Sequence, residues 1–163
     1  MKNRYSITSI EMPTEEDHRV LFNGINQFAQ SRGFNVAAGS YFFAVYDENE
    51  RIVAAISGFD NFGQVEIGGL WVDVVLRGQG YGRKLVEKAE EWGFQHGCKN
   101  ICVFTLKEWP VCRWYQKLGF SVEFERPGHA NNSVGCYLIK KLSNCGGQTW
   151  GETNGLKKLR FKL

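Results

Sequence analysis

The sequence predicts a single α/β (α+β) domain, a mixed central sheet of roughly six to seven strands with helices on both faces. Three observations carry that expectation. At 163 residues, 43% hydrophobic and 23% charged, the chain has the length and composition of one globular core. Its apolar residues change period along the chain, from about two to about 3.6 and back, so strands and helices interleave. A strand–helix–strand run demands a crossover between parallel neighbours, whereas strands joined by short turns pair antiparallel, so the sheet is mixed.

Residues 4–11 alternate loosely and read as a short strand. Thr14 followed by Glu15, Glu16 and Asp17 is an approximate capping box, with Asp in place of Glu or Gln, and starts a helix. Val20, Leu21, Ile25 and Phe28 recur at helical spacing until Gly33 ends the run. The aromatic and β-branched content of 41–46 marks a strand, Asp47–Glu50 a turn, and 52–59 the returning strand. A third strand over about 64–75 is mostly apolar and reads as central. From Gly80 to Gly97, Leu85, Val86, Ala89, Trp92 and Phe94 follow a period near 3.6 with charges between them, a helix. Residues 100–105 are a short apolar strand, and 109–118 a second short helix with Pro110 in its first turn and Gly119 at its end. Two closing strands, 120–124 and 134–142, flank a turn carrying Pro127-Gly128 and Asn131-Asn132.

Charge and composition exclude several classes. No apolar run is long enough for a membrane span, and the N-terminus lacks the apolar block of a signal peptide. The net charge of +3 is unevenly placed: residues 1–143 hold 16 basic and 16 acidic residues, and the excess lies in 144–163, where Lys157, Lys158, Arg160 and Lys162 face Glu152. A body without net positive charge argues against a nucleic-acid partner. The five cysteines (Cys98, Cys102, Cys112, Cys136, Cys145) are odd in number and lack metal-ligand spacing, so the expectation is reduced thiols, no metal and a cytoplasmic location. The composition shift after Leu142 divides the chain into a domain over 1–142 and a polar basic appendage over 143–163.

The chemically informative stretch is Leu70-Trp71-Val72-Asp73-Val74-Val75-Leu76-Arg77-Gly78-Gln79-Gly80-Tyr81-Gly82-Arg83. A buried strand runs into a loop with glycines at alternate positions, then into a long helix. Glycines let successive backbone N–H groups turn inward, and the helix start adds its dipole and its unpaired N–H groups, an anion nest fit for a pyrophosphate. Arg77, Arg83, Lys84 and Lys88 surround it, opposed by Glu87 alone. The glycine spacing is not that of the G-x-G-x-x-G dinucleotide fingerprint, nor is it a Walker loop.

Arg77, Gly80 and Gly82 match [Q/R]-x-x-G-x-[G/A]. About thirty residues on, Trp114-Tyr115-Gln116-Lys117-Leu118-Gly119-Phe120 matches [F/W]-Y-x-k-x-G-F. With these two motifs, on a strand–loop–helix and a helix end, the chain over about 4–142 resembles the GCN5-related N-acetyltransferase (GNAT) superfamily. The resemblance implies a splayed central strand pair and transfer of an acetyl group from acetyl-CoA, a co-substrate, to a primary amine. It puts the pantetheine arm against Leu70, Trp71 and Val72, and the pyrophosphate on Arg77, Gly78, Gln79, Gly80, Tyr81, Gly82 and Arg83. The Val72 N–H would polarise the thioester carbonyl.

Direct attack needs a base for the amine and an acid for the leaving thiolate. The resemblance makes Tyr115 the candidate acid. It makes Glu66, eleven residues before Arg77 on the same strand, the candidate base, with Asp73 a weaker rival. An apolar strand dehydrates a carboxylate, which suits it to accept a proton. The resemblance also places the acceptor near Phe28, Phe34, Tyr41, Phe42 and His129, an aromatic and lightly charged lining that favours a small-molecule amine, with a protein amine or antibiotic still open. Glu108 stands where many members carry Asn, which puts that contact with the pantetheine in doubt, with Lys107 beside it as partial compensation. Trp109 and Trp114 read as core more than as a shelf for the coenzyme. A homodimer is expected from the sheet edge. The alternative is a non-catalytic acyl-CoA-binding module on the same fold.

Overall fold

The computed structural model describes residues 5–34 and 39–143. They belong to two compact bodies, Met1–Val36 and Ala37–Leu163. But for Ser143, the expected appendage lies outside the described residues. The first body carries helix α1 (Glu15–Ser31), and its capping box forms as the sequence implies. The Asp17 N–H donates to Thr14 Oγ1 (3.2 Å), and the Thr14 N–H donates back to Asp17 Oδ2 (2.7 Å). Residues 5–10 are not a strand. Alternating side chains make a strand only where a neighbouring backbone completes the ladder, and none does so here among the described residues.

The second body holds β1 (Ser40–Tyr46), β2 (Ile52–Asp60), β3 (Gln64–Val72), α2 (Tyr81–Gln95), β4 (Asn100–Leu106), α3 (Pro110–Lys117), β5 (Ser121–Arg126) and β6 (Gly135–Lys141). The six strands form one sheet in the order β1-β2-β3-β4-β6-β5. Only β3 and β4 are parallel, joined through α2, so the mixed α/β sheet is as expected.

Helices α2 and α3 lie on the same face of the sheet. Cys112 of α3 meets Cys136 of β6, Sγ to Sγ 3.3 Å. Four residues along β6, hence on the same face, Lys140 Nζ donates to both carboxylate oxygens of Glu90 on α2 (2.7 and 2.9 Å). Under the two helices, Val65, Ile101, Leu138 and Cys136 are almost completely buried and form the floor of the core. Full burial of such a side chain contributes roughly 1.5–3 kcal/mol, so these few residues fix where the helices sit.

A bulge in β3 changes which of its residues face the helices. Ser57 pairs with Gly69, but the next residue, Gly58, pairs with Ile67, leaving Gly68 as the extra residue. Before it, Val65 and Ile67 face the helices. After it, Leu70 and Val72 do, and both pack against the core. Glu66 and Trp71 therefore share the opposite face. The bulge sits where two backbones nearly touch, since a Cβ on Gly58 would overlap the Glu66 carbonyl oxygen and the Tyr41 hydroxyl.

This packing sets two expectations for stability. Gly93 lies inside α2, where Ala ordinarily gains up to about 1 kcal/mol over Gly. Its Cβ, however, would overlap Val65 Cγ2 and stand 3.0 Å from Leu142 Cδ1. Val65 is fully buried and cannot withdraw, so Gly93→Ala destabilises by about 1–3 kcal/mol in urea unfolding. Burial raises Cys98 to about 11 and both Cys102 and Cys136 to about 12, and also raises Tyr41 and Tyr115 above the ordinary phenol value. Groups that bind protons more tightly folded than unfolded stabilise only while the unfolded chain is still protonated. The unfolding free energy therefore declines from about pH 9 upward as the unfolded thiols ionise, and falls further above about pH 10 as the unfolded phenols follow. Urea titrations across pH 7–11 measure the slope.

Candidate active site

The β3–β4 ladder runs only from Gln64/Asn100 to Ile67/Val103. Both strands continue, β3 to Val72 and β4 to Leu106, without pairing further. Asp73 N–H donates to the Val53 carbonyl (2.9 Å). By the two-residue alternation of an antiparallel pair, Trp71 also faces β2, while the backbones of Leu70 and Val72 face the opening toward β4. Arg77 Nε donates to the Val72 carbonyl from that side (3.1 Å).

A cleft of about 770 Å³ occupies this opening. One wall is Leu70, Trp71 and Val72; the far wall is Trp109, Pro110, Val111 and Trp114 at the start of α3; Leu76, Arg77, Gly78, Gly80, Tyr81, Gly82 and Arg83 close the end. Nine of the ten residues expected to hold the coenzyme line one cavity. The tenth, Gln79, turns its side-chain amide back to donate to the Val75 carbonyl (2.9 Å).

The loop's geometry explains its glycines. Asp73, the weaker rival for the base, accepts from the Val75 N–H (3.0 Å) and caps a short 3₁₀ turn over 74–76. Gly78 and Gly80 take φ of 79° and 86°, and Gly80 caps α2 without a side-chain hydrogen bond. The first-turn N–H groups of the helix thus emerge at the end of the cleft, where the macrodipole is positive. Gly82 is glycine for another reason: a Cβ there would stand 3.2 Å from Trp114 Cζ2 and 3.6 Å from Val72 Cγ2. It lets α2 close on the floor of the cleft. Lys88 is not part of this group, because its ammonium pairs with Glu91 (2.6 Å).

Glu66 stands one residue before the last paired position of β3, at the vertex of the opening and on the face away from the helices. Asn61 Nδ2 donates to its Oε1 (3.0 Å). Cys102, its Cα partner on β4, is raised to about 12 by burial and by the Glu123 and Glu66 carboxylates. Tyr115 lies in the core on the helix side and is not among the residues that line the cleft. It is buried behind the Trp114 wall, edge-on to Trp114 (5.0 Å) and Phe120 (5.3 Å), and burial holds its phenol in the protonated form.

Three expectations change. Tyr41 does not belong with an acceptor pocket. It is core, packed on Trp92 of α2 (5.0 Å) with its hydroxyl donating to the Glu66 carbonyl (3.2 Å). Phe42, the next residue, takes the other face, as strand alternation requires. Trp109, read as core, is 57% exposed at the mouth of the cleft, because it precedes Pro110 and so lies outside the helix it introduces. Glu108, whose contact with the pantetheine was already in doubt, is engaged elsewhere: its Oε1 accepts from the Val134 N–H (3.1 Å). Lys107 pairs with Glu125 (2.7 Å) and does not compensate. His129 packs against Phe104 (5.2 Å) on the Glu66 face, its Nε2 buried without a hydrogen-bond partner. Phe28 and Phe34 belong to the first body, where the Arg32 guanidinium lies 5.3 Å from the Phe28 ring. Among the described residues no three His, Cys, Asp or Glu side chains gather to ligate a metal, and no helix is long and apolar enough to cross a membrane.

The sequence profile of the acetyltransferase (GNAT) family matches residues 5–120. The chain belongs to that family. It is an acyltransferase of the kind that transfers acetyl groups. Solved structures share the fold. One is a protein of Agrobacterium tumefaciens assigned as an acetyltransferase (TM-score 0.71, 18% identity, 84% of this chain and 99% of that one). Another is an acetyltransferase from Bacillus cereus (0.65, 23%, 83% and 98%). A third, from Bacillus anthracis, is assigned as a streptothricin acetyltransferase and was solved with acetyl coenzyme A (0.53, 21%, 56% and 57%). No curated protein sequence matches the chain.

Sequence reading missed Leu76, Pro110 and Val111 as cleft residues, and undervalued the two tryptophans. The signal for Trp109 was present, since a residue before an N1 proline is held extended and its side chain leaves the helix. The loop yields one prediction. Nothing lies within 4 Å of a Cβ built on Gly80, so Gly80→Ala loses no contact and meets only the cost of positive φ. Urea unfolding is expected to show a loss of about 1 kcal/mol, with most of it recovered in Gly80→Asn.

Proposed function

We propose that the protein transfers an acetyl group from acetyl-CoA to a primary amine by direct attack. The observation that carries this reading is the opening between β3 and β4, with a helix start free of side-chain capping at one end and Glu66 at its vertex. The backbone edge of Leu70 and Val72 is the natural partner of a pantetheine amide, and the Val72 N–H is positioned to polarise the thioester carbonyl as negative charge develops there. The diphosphate would lie on the N–H groups of Gly78 to Arg83 with Arg77 and Arg83 beside it. The fold shared with a protein solved with acetyl coenzyme A supports the same assignment.

In this reading the two faces of the sheet divide the proton chemistry. Glu66 receives the proton of the incoming ammonium on the face away from the helices. Tyr115, kept protonated by burial, supplies a proton to the sulfur from the α3 side. Trp109 and Trp114 form an apolar wall that excludes water from the thioester and so limits its hydrolysis.

Calorimetric titration with acetyl-CoA tests the first step, and heat below detection at high micromolar ligand contradicts the reading. Thiol release with an amine panel tests the second. Tyr115→Phe is expected to lower kcat by about 10²-fold while coenzyme affinity stays within a factor of about two, and Glu66→Gln to lower kcat by a similar factor. If either substitution weakens coenzyme binding as much as turnover, the residue is structural.

A further inference from the structure

The face of the sheet that carries Glu66 holds a second constellation, one that belongs to neither family motif. Phe104 of β4, Tyr137 of β6 and Phe124 of β5 stand in register across three strands. Phe104 and Tyr137 meet at 4.9 Å, and Tyr137 stacks flat on Phe124 at 4.2 Å. The guanidinium of Arg126 lies over the middle ring and the far one, 5.5 Å from Tyr137 and 5.8 Å from Phe124. His129 forms one border, set over Gly135, whose missing Cβ gives the imidazole its room. Phe104 is two residues along β4 from Cys102, the Cα partner of Glu66, so this aromatic row begins beside the vertex and runs away from it.

The charges on this surface are unequal in their freedom. Glu66 is held by Asn61, Glu123 lies near enough to act on the Cys102 thiol, and Glu125, whose Cα partner is Cys136, stands on the helix side with Lys107. Among the described residues, no carboxylate lies within ion-pair distance of Arg126. A polycation would meet Glu123 here, with Glu66 already engaged. A molecule with a carboxylate would find an unmatched guanidinium, shaped for bidentate recognition and resting on a flat apolar surface.

We propose that this face selects amines that also carry a carboxylate, Arg126 binding that group while the Phe104–Tyr137–Phe124 row holds an apolar or aromatic body between it and the reacting nitrogen. Arg126 pairs with Gly135, which pairs with Leu106, so its Cα lies two strand spacings from β4, about 10 Å. The side chain reaches back over Tyr137 toward the vertex, and Glu66 lies one strand beyond β4 and four residues along from the Leu106 level, so the body between carboxylate and amine spans at least one ring. The inference rests on the amine-acetylation reading and narrows its acceptor.

The test compares matched acids and amides under saturating acetyl-CoA: 4-(aminomethyl)benzoate against 4-(aminomethyl)benzamide, and 4-(aminomethyl)phenylacetate against its amide, with spermidine as the polycation. The expected result is kcat/KM for the rigid acid at least about tenfold above its amide and above spermidine. Arg126→Gln brings the acid-to-amide ratio to about one, and Arg126→Lys restores part of it. Turnover of amides or spermidine at least as fast as the acids overturns the inference and leaves the acetyltransfer reading standing, as does an acid-to-amide ratio unchanged in Arg126→Gln. Acetyl-CoA binding without turnover of any of the five amines overturns both. Thermal melting of each variant establishes that it is folded.

Discussion

Everything in this site depends on one backbone arrangement, a strand bonded to its neighbour on one side and abandoned on the other. β3 keeps its antiparallel ladder with β2 along its length and loses β4 after Ile67. Backbone N–H and C=O groups are strong and obligatory partners, so an open strand edge inside a fold is a place where a ligand with amide groups is expected. The bulge at Gly68 supplies the second half of the arrangement. It changes which face alternate residues take, so Glu66 stays on the outer face while Leu70 and Val72 seal the helix side. Without the extra residue, Trp71 would be driven into the core and Leu70 and Val72 out of it.

The electrostatics rest on the backbone in the same way. The body carries no net charge over residues 1–143, yet the end of the cleft is positive, because the field there comes from oriented amides as much as from side chains. Gly78 and Gly80 give the loop a path that an L side chain would resist, and the uncapped helix start adds its dipole. Arg77, which the sequence places among the anion's partners, also braces the loop by donating to the Val72 carbonyl. A cation so employed is fixed before any ligand arrives, which lowers the entropy lost on binding.

Much of this was legible in the sequence because it is local. The capping box at Thr14, the period of α2, the turn at Asp47 and the glycine loop are each decided within a few residues, and the two motifs fixed the pairing of loop and helix. The failures were of two kinds. Residues 5–10 alternate as a strand does, but strand formation is decided by a partner elsewhere, which no local pattern reports. Tyr41 was misjudged because facing is decided by register and by a partner 25 residues away, the Glu66 carbonyl, and the anchor of Glu108, 26 residues on at Val134, was equally beyond a local reading. Trp109 was misjudged against a local signal, the proline that follows it. The aromatic row and Arg126 were invisible for the same reason as the Tyr41 partner, since each ring comes from a different strand.

Glu108 shows how a residue that looks unfavourable in sequence can serve the same site. A carboxylate in the coenzyme's path would repel phosphate, and its place in the chain suggested that path. In the structure its charge is engaged by the Val134 N–H, while the Lys107 N–H donates to the Val134 carbonyl (2.9 Å). Val134 thus gives and receives at the point where β4 ends and β6 begins, extending the β4–β6 ladder by one more clamp. That clamp bears on the opening. A sheet whose strands must part somewhere will part where the ladder is weakest. With β4 held to β6 over seven residue pairs and then by Glu108, against four pairs to β3, the separation is confined to the β3 side. The acid that seemed to threaten the cleft is one of the groups that decides where the cleft lies.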